Sequence, residues 1–144
     1  MSVAAILKVK GTHVETAPPD TTLYTIVWTL KAKRIGAIVV SEDGSTVRGL
    51  VSERDIIRGL AELGAKLLSL SVSELMTFPV ITCTPGESIT AVMARMTHHR
   101  ARHLPVVEGG KLCGIISIGD VVKHRLDELQ LEANILRENL MMSH

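Results

Sequence analysis

The chain has 144 residues, 46% of them hydrophobic, which is enough to build one ordinary domain or two small halves around a shared core and excludes a disordered chain. Lys and Arg number 16 against 15 Asp and Glu, and a net charge of +1 argues against a protein built to grip nucleic-acid backbone. With Tyr24, Trp28 and Phe78 as its aromatic residues, the chain also lacks the material for a base-stacking platform.

Residues 4–9 read as a short opening helix. Val14-Glu15-Thr16 is a β-like stretch, and Pro18-Pro19-Asp20 turns the chain. Leu23, Ile26, Val27 and Leu30 then recur at i, i+3, i+4, i+7, the apolar stripe of a helix. Residues 37–40 form a buried strand, Glu42-Asp43-Gly44 a hairpin turn, and residues 47–51 the returning strand. A helix starts near Ser52 and stops near Gly64. Residues 65–71 read as a linker, and Ser71 with Glu74 forms a capping box for a short helix over 72–76.

The pattern then repeats. Val80-Ile81-Thr82 is β-like, Thr84-Pro85-Gly86-Glu87 has the form of a capping box, and Ile89, Val92, Met93 and Met96 restate the helical stripe. Strands over 104–107 and 112–116 flank Glu108-Gly109-Gly110, and a helix starts near Ser117. The second copy lies 66 residues downstream, or 65 after its shorter turn. Both copies end alike, Gly49-Leu50-Val51-Ser52-Glu53-Arg54-Asp55 and Gly114-Ile115-Ile116-Ser117-Ile118-Gly119-Asp120. Such a doubling suggests two related halves facing each other, each with a ligand site. In the last helix Val122, Leu126, Leu129, Ala133, Leu136 and Leu140 are spaced 4, 3, 4, 3, 4, a seam that either folds back on the body or pairs with a second copy. Cys83 and Cys113 fall in apolar stretches, so a disulfide framework is not expected. No charged leader followed by an apolar run opens the chain, and no run approaches the roughly 20 residues of a membrane span, so a cytoplasmic protein is expected.

Two strand-helix-strand-strand-helix units, each ending Gly-h-h-Ser-x-x-Asp (h, hydrophobic), resemble a tandem pair of CBS (cystathionine β-synthase) domains, a Bateman module of the stand-alone bacterial type. Arg102-His103-Leu104-Pro105-Val106-Val107 followed by the segment Gly114 to Val122 carries the likeness most clearly, and it extends over residues 3–126. The resemblance implies an α/β (α+β) fold of two β-α-β-β-α repeats about a pseudo-twofold axis. It divides the chain into repeat one (3–64), a linker (65–71), repeat two (72–126) and a C-terminal helical extension (127–144). It further implies clefts for an adenosine-containing ligand, AMP, ADP or ATP first, NAD or S-adenosylmethionine next, and frequent pairing of modules into a homodimer.

Within that frame Asp55 and Asp120 are the expected ribose ligands, because an ionised carboxylate accepts from two hydroxyls at once. Ser52 and Ser117 begin helices, where free N–H groups and the dipole favour phosphate. Ser-x-x-Asp is equally the signature of an ordinary capped helix, and both roles can coexist. The resemblance assigns base recognition to Thr16, Ile38, Thr82, Leu104 and Pro105, which could equally be core strand residues. Arg54 and Arg102 are the preferred phosphate cations among a wider basic set that includes Lys33, Arg34, His98, His99, Arg100 and His103. Arg54 faces Gly119 in the repeat alignment, so unequal clefts are expected. No Cys-x-x-Cys or His-Glu-x-x-His pattern supports a metal, and no phosphate loop, dinucleotide fingerprint or nucleophile–base pair supports an enzyme. The expectation is a regulatory adenine-nucleotide sensor acting in trans on a separate effector protein, without nucleic-acid or membrane partners. The alternative is a structural dimerisation adaptor with vestigial clefts.

Overall fold

The structure, a computed structural model, describes residues 1–143. His144, the last residue of the expected C-terminal extension, lies outside the described residues. The elements in chain order are α1 (Val3–Lys10), β1 (Thr16–Ala17), α2 (Leu23–Lys33), β2 (Ala37–Val40), β3 (Gly49–Ser52), α3 (Glu53–Leu63), α4 (Ile89–His99), β4 (His103–Glu108), β5 (Lys111–Ser117) and α5 (Ile118–Met142). Two 3₁₀ helices, Gly64–Ser69 and Val72–Glu74, occupy the expected linker and the start of the second copy.

The two copies are built alike. In the first, β1 lies parallel to β2 and β2 antiparallel to β3. In the second, β4 pairs antiparallel with β5. The first strand of that copy, expected at Val80-Ile81-Thr82, is reduced to a single parallel bridge between Cys83 and Val106. Its cause is one residue. In copy one the Val39 N–H donates to the Glu15 carbonyl. The equivalent donor in copy two is Pro105, which has no N–H, so the ladder cannot begin before Cys83. In copy one the strand likewise starts later than expected, at Thr16. A second correction concerns Thr84-x-x-Glu87. The Glu87 carboxylate does accept the Thr84 N–H at 2.8 Å, but α4 starts further on, with the Ser88 hydroxyl accepting the Ala91 N–H as its cap. Glu87 also pairs with Arg95, about two turns into the helix.

The cores do not follow chain order. One gathers Leu23, Ile26, Leu30, Ile38, Val40, Val51 and Ile56 around Leu67 and Val72 from the stretch between the copies. The other gathers Ile89, Val92, Met96, Leu104, Ile116 and Val121 around Val3, Ile6 and Leu7 of α1. The opening helix thus completes the second half. An eight-residue helix is too short to persist alone, and burying these three side chains, each contributing about 1.5–3 kcal/mol, is what holds it. Backbone bonds fasten it, from the Val3 N–H to the Glu87 carbonyl and from the Ile89 N–H to the Met1 carbonyl. Mirror-related bonds, Val72 N–H to Thr21 and Leu23 N–H to Leu70, fasten the linker to the first half. Paired contacts of this kind are the mark of the pseudo-twofold.

The last helix runs 25 residues, against 11 for its counterpart α3. Its only buried side chains are Val121 and His124. Leu126, Leu129, Leu136 and Leu140 are exposed, so the seam does not fold back on the body. None of the described helices is long and apolar enough to cross a membrane.

Candidate functional site

Each Ser-x-x-Asp stands where the last strand of its copy ends and a helix begins. At α3 the Ser52 hydroxyl accepts from the Asp55 N–H, while Asp55 Oδ2 takes the Ser52 N–H at 2.9 Å. At α5 the Ser117 hydroxyl accepts from the Asp120 N–H, and Asp120 Oδ2 takes the Ser117 N–H at 2.9 Å. Both motifs are therefore capping boxes, as one of the two readings of their spacing required. A carboxylate so used still has its second oxygen and further lone pairs on offer.

Two clefts open between the halves. The first, about 310 Å³, is lined by Ser52, Glu53, Arg54, Asp55 and Arg58 on one wall. Thr77, Val80, Ile81 and the run from His99 to His103 make the other. The second, about 460 Å³, sets Ile115 and Ser117 against Lys10, His13, Glu15 and the run from Lys33 to Ala37. Both volumes lie in the range of small-molecule sites, roughly 300–1,000 Å³. The walls are exchanged: the motif of one copy faces the strand entry and the helix–strand turn of the other. Gly36 and His103 line both clefts and meet where they adjoin; a Cβ on Gly36 would stand 3.0 Å from the His103 ring. Burial, and then the nearby Lys10 charge, push the His103 imidazole below its ordinary value, so it sits there as a neutral group.

The exchange decides which expected residues meet. Arg54 and Arg102, from different copies, line the same cleft as Ser52 and Asp55. Ser117 lines the second cleft, whereas Asp120 does not form part of its wall. The residues expected to read a base line neither cleft. Ile38 and Leu104 are buried in the cores. Pro105 is buried too, and Thr16 and Thr82 are half-buried in the adjoining strand segments. The apolar wall of cleft one comes instead from Val80 and Ile81, just as Glu15, the copy-one counterpart of Ile81, lines cleft two.

Of three further cleft residues, Arg34 and Arg100 belong to the wider basic set read from the sequence and Lys10 does not. Arg34 and Arg100 end α2 and α4 in the left-handed conformation, both at φ 54°. That conformation costs a non-glycine residue about 1 kcal/mol, and it turns both chains into the clefts. Their 66-residue spacing was the available signal. Lys10 was not legible, since only the exchanged packing of α1 brings it to cleft two. There its ammonium donates to Asp120 Oδ2 at 2.7 Å and to the Ile115 carbonyl at 3.0 Å. Burial raises the Asp120 carboxyl, but the Lys10 bond and the Ser117 N–H outweigh it and hold the group below the usual carboxylate range.

The sequence profile of the CBS domain matches residues 8–62 and 72–127, both halves of the chain. The chain belongs to the CBS domain family. A CBS-domain containing protein of Agrobacterium tumefaciens is 44% identical, with a TM-score of 0.83 over 87% of this chain and 99% of that one. The mitochondrial CBS domain-containing protein CBSX3 of Arabidopsis thaliana is 31% identical, over 93% of this chain and 71% of its own length. The CBS domain pair of protein MJ0100, solved in complex with 5′-methylthioadenosine and S-adenosyl-L-methionine, shares the fold at a TM-score of 0.78 and 22% identity, over 89% of this chain and 98% of that one. The CBS pair described here sets Ser52 and Asp55 in the wall of one of two unequal clefts and Ser117 in the wall of the other.

Proposed function

We propose that this CBS pair is a regulatory module that takes an adenine nucleotide in cleft one and acts on a separate effector protein. The observation that carries the reading is the convergence of Asp55, the capped start of α3 at Ser52, and Arg54 and Arg102 on one small-molecule-sized cleft. Asp55 offers its second carboxylate oxygen to a ribose diol, and the positive end of α3, whose Glu53 and Asp55 N–H groups already donate to Gly36 and Ser52, favours phosphate through its dipole. Arg58 and Arg100 add to the positive side, against Glu53 and Asp55 on the negative. This balance favours a phosphorylated nucleotide such as AMP, ADP or ATP, or NAD, over S-adenosylmethionine, which brings its own positive charge. The adenosine ligands held by the MJ0100 pair support the ligand class. The module acts by binding the ligand differently in its two shapes, since only unequal affinity can shift them. The reading assigns no catalysis and no metal.

Isothermal titration with ADP, NAD and S-adenosylmethionine tests it. We expect the phosphorylated ligands to bind, and Asp55→Asn to weaken ADP at least about tenfold, a loss of about 1.4 kcal/mol. No heat and no thermal shift at millimolar ligand, in folded protein, would sink the proposal.

A second reading, a dimerisation adaptor, is favoured by the uncovered apolar row of α5 and is compatible with the first. In it the seam pairs two modules through Leu126, Leu129, Leu136 and Leu140.

A further inference from the structure

We infer that Lys10 is an internal occupant of cleft two, a latch that fills the carboxylate end of that cleft and leaves cleft one as the nucleotide site. The inference rests on the proposed ligand class.

The two motifs share the Ser-x-x-Asp spacing and the capping box but differ in what meets the carboxylate. Asp55 Oδ2 receives only its own cap, the N–H and hydroxyl of Ser52. Asp120 Oδ2 receives its cap and an ammonium at 2.7 Å. The Lys10 ammonium is fixed at a second point, the carbonyl of Ile115, which is itself a wall of the cleft. One donor therefore spans the strand and the motif, across the place where a diol would approach. The consequence is visible in the walls: Asp55 lines its cleft and Asp120 does not.

The asymmetry has a local origin. Leu7 packs on Gly114 of β5 as Met76 packs on Gly49 of β3, so the end of α1 and the segment after Met76 enter the two clefts equivalently. The first delivers Lys10. The second, Thr77-Phe78-Pro79-Val80, carries no cation. A ligand entering cleft two must displace an ammonium already paired and partly desolvated, whereas one entering cleft one displaces water. Gly119 stands where copy one has Arg54, so the cations of cleft two besides Lys10 are Lys33 and Arg34, on the wall opposite Ser117.

Titration of the unaltered chain and of Lys10→Met with ADP decides the matter, with Lys10→Gln as a second variant that keeps a polar end. Lys10 is exposed along its stem, so neither change opens a core. The expected result is one equivalent of ADP per chain for the unaltered protein and two for Lys10→Met, the added equivalent being lost again in Lys10→Met with Asp120→Asn. Two equivalents bound by the unaltered chain, or a stoichiometry of one that Lys10→Met and Lys10→Gln leave unchanged, would overturn the latch while leaving the nucleotide reading intact. Absence of binding in every variant would overturn both.

Discussion

Glu87 shows how a single ion pair can be read from the sequence as one thing and serve as another. Its spacing from Thr84 announces a capping box, yet its stronger partner is Arg95, about two helical turns beyond the Ser88 cap. The Arg95 guanidinium holds the Glu87 carboxyl down at about 2, from an ordinary value of 4.5, with the Thr84 N–H adding to the effect against the cost of burial. The folded state therefore prefers the ionised form. Its contribution is complete above about pH 4.5 and is lost as pH falls through 4.5 towards 2, where both folded and unfolded chains become protonated. The pair is partly exposed and screened, so its worth is about 1 kcal/mol. Acid denaturation followed by circular dichroism should show Glu87→Gln losing about that much stability at pH 7 and converging on the unaltered protein near pH 2. An undiminished difference at low pH would mean that packing, not charge, holds this turn.

At the scale of elements, the exchanged opening helix governs both halves. A Cβ built on Gly114 would lie 2.6 Å from the Leu7 side chain, and one on Gly49 would collide with Met76. These glycines are close-approach positions, where a segment from the other end of the repeat lies flat on a strand. Gly114→Ala should therefore destabilise the fold by about 1–3 kcal/mol, the cost of overpacking. Combining it with Leu7→Ala should recover part of that loss, a coupling measurable by a double-mutant cycle in urea. Strict additivity of the two changes would deny that α1 packs on β5. The shortened first strand of copy two belongs to this scale as well, because Pro105 offers no N–H where Val39 of copy one donates to Glu15.

For the whole molecule, the feature without an internal partner is the distal half of α5. An apolar row on a projecting helix is unfavourable in water unless covered, and its 4-3 spacing suits a second helix. Leu129→Glu with Leu136→Glu should convert a dimer to a monomer in light scattering coupled to size exclusion, without altering ADP titration of cleft one. A monomeric unaltered protein at tens of micromolar would remove the adaptor reading. The independence of the two measurements follows from distance along the chain, since the cleft residues end at Ser117 and the uncovered row begins at Val122.

The sequence by itself determined the repeat, the strand and helix types, the capped starts of α3 and α5, and the residues able to carry charge to a ligand. These are local matters: periodicity, turn chemistry and cap spacing act within a few residues, and 66-residue spacing doubles each signal. Only the tertiary structure decided which wall faces which. Arg54 and Arg102 were legible as cations but not as neighbours, and Ile38 and Leu104 were open to either a base-covering or a core reading until the packing put them in the cores. Lys10 was not legible at all. Each of these depends on the crossing of α1 and the linker between the halves, where burial of Val3, Ile6, Leu67 and Val72 outweighs anything encoded nearby in the chain.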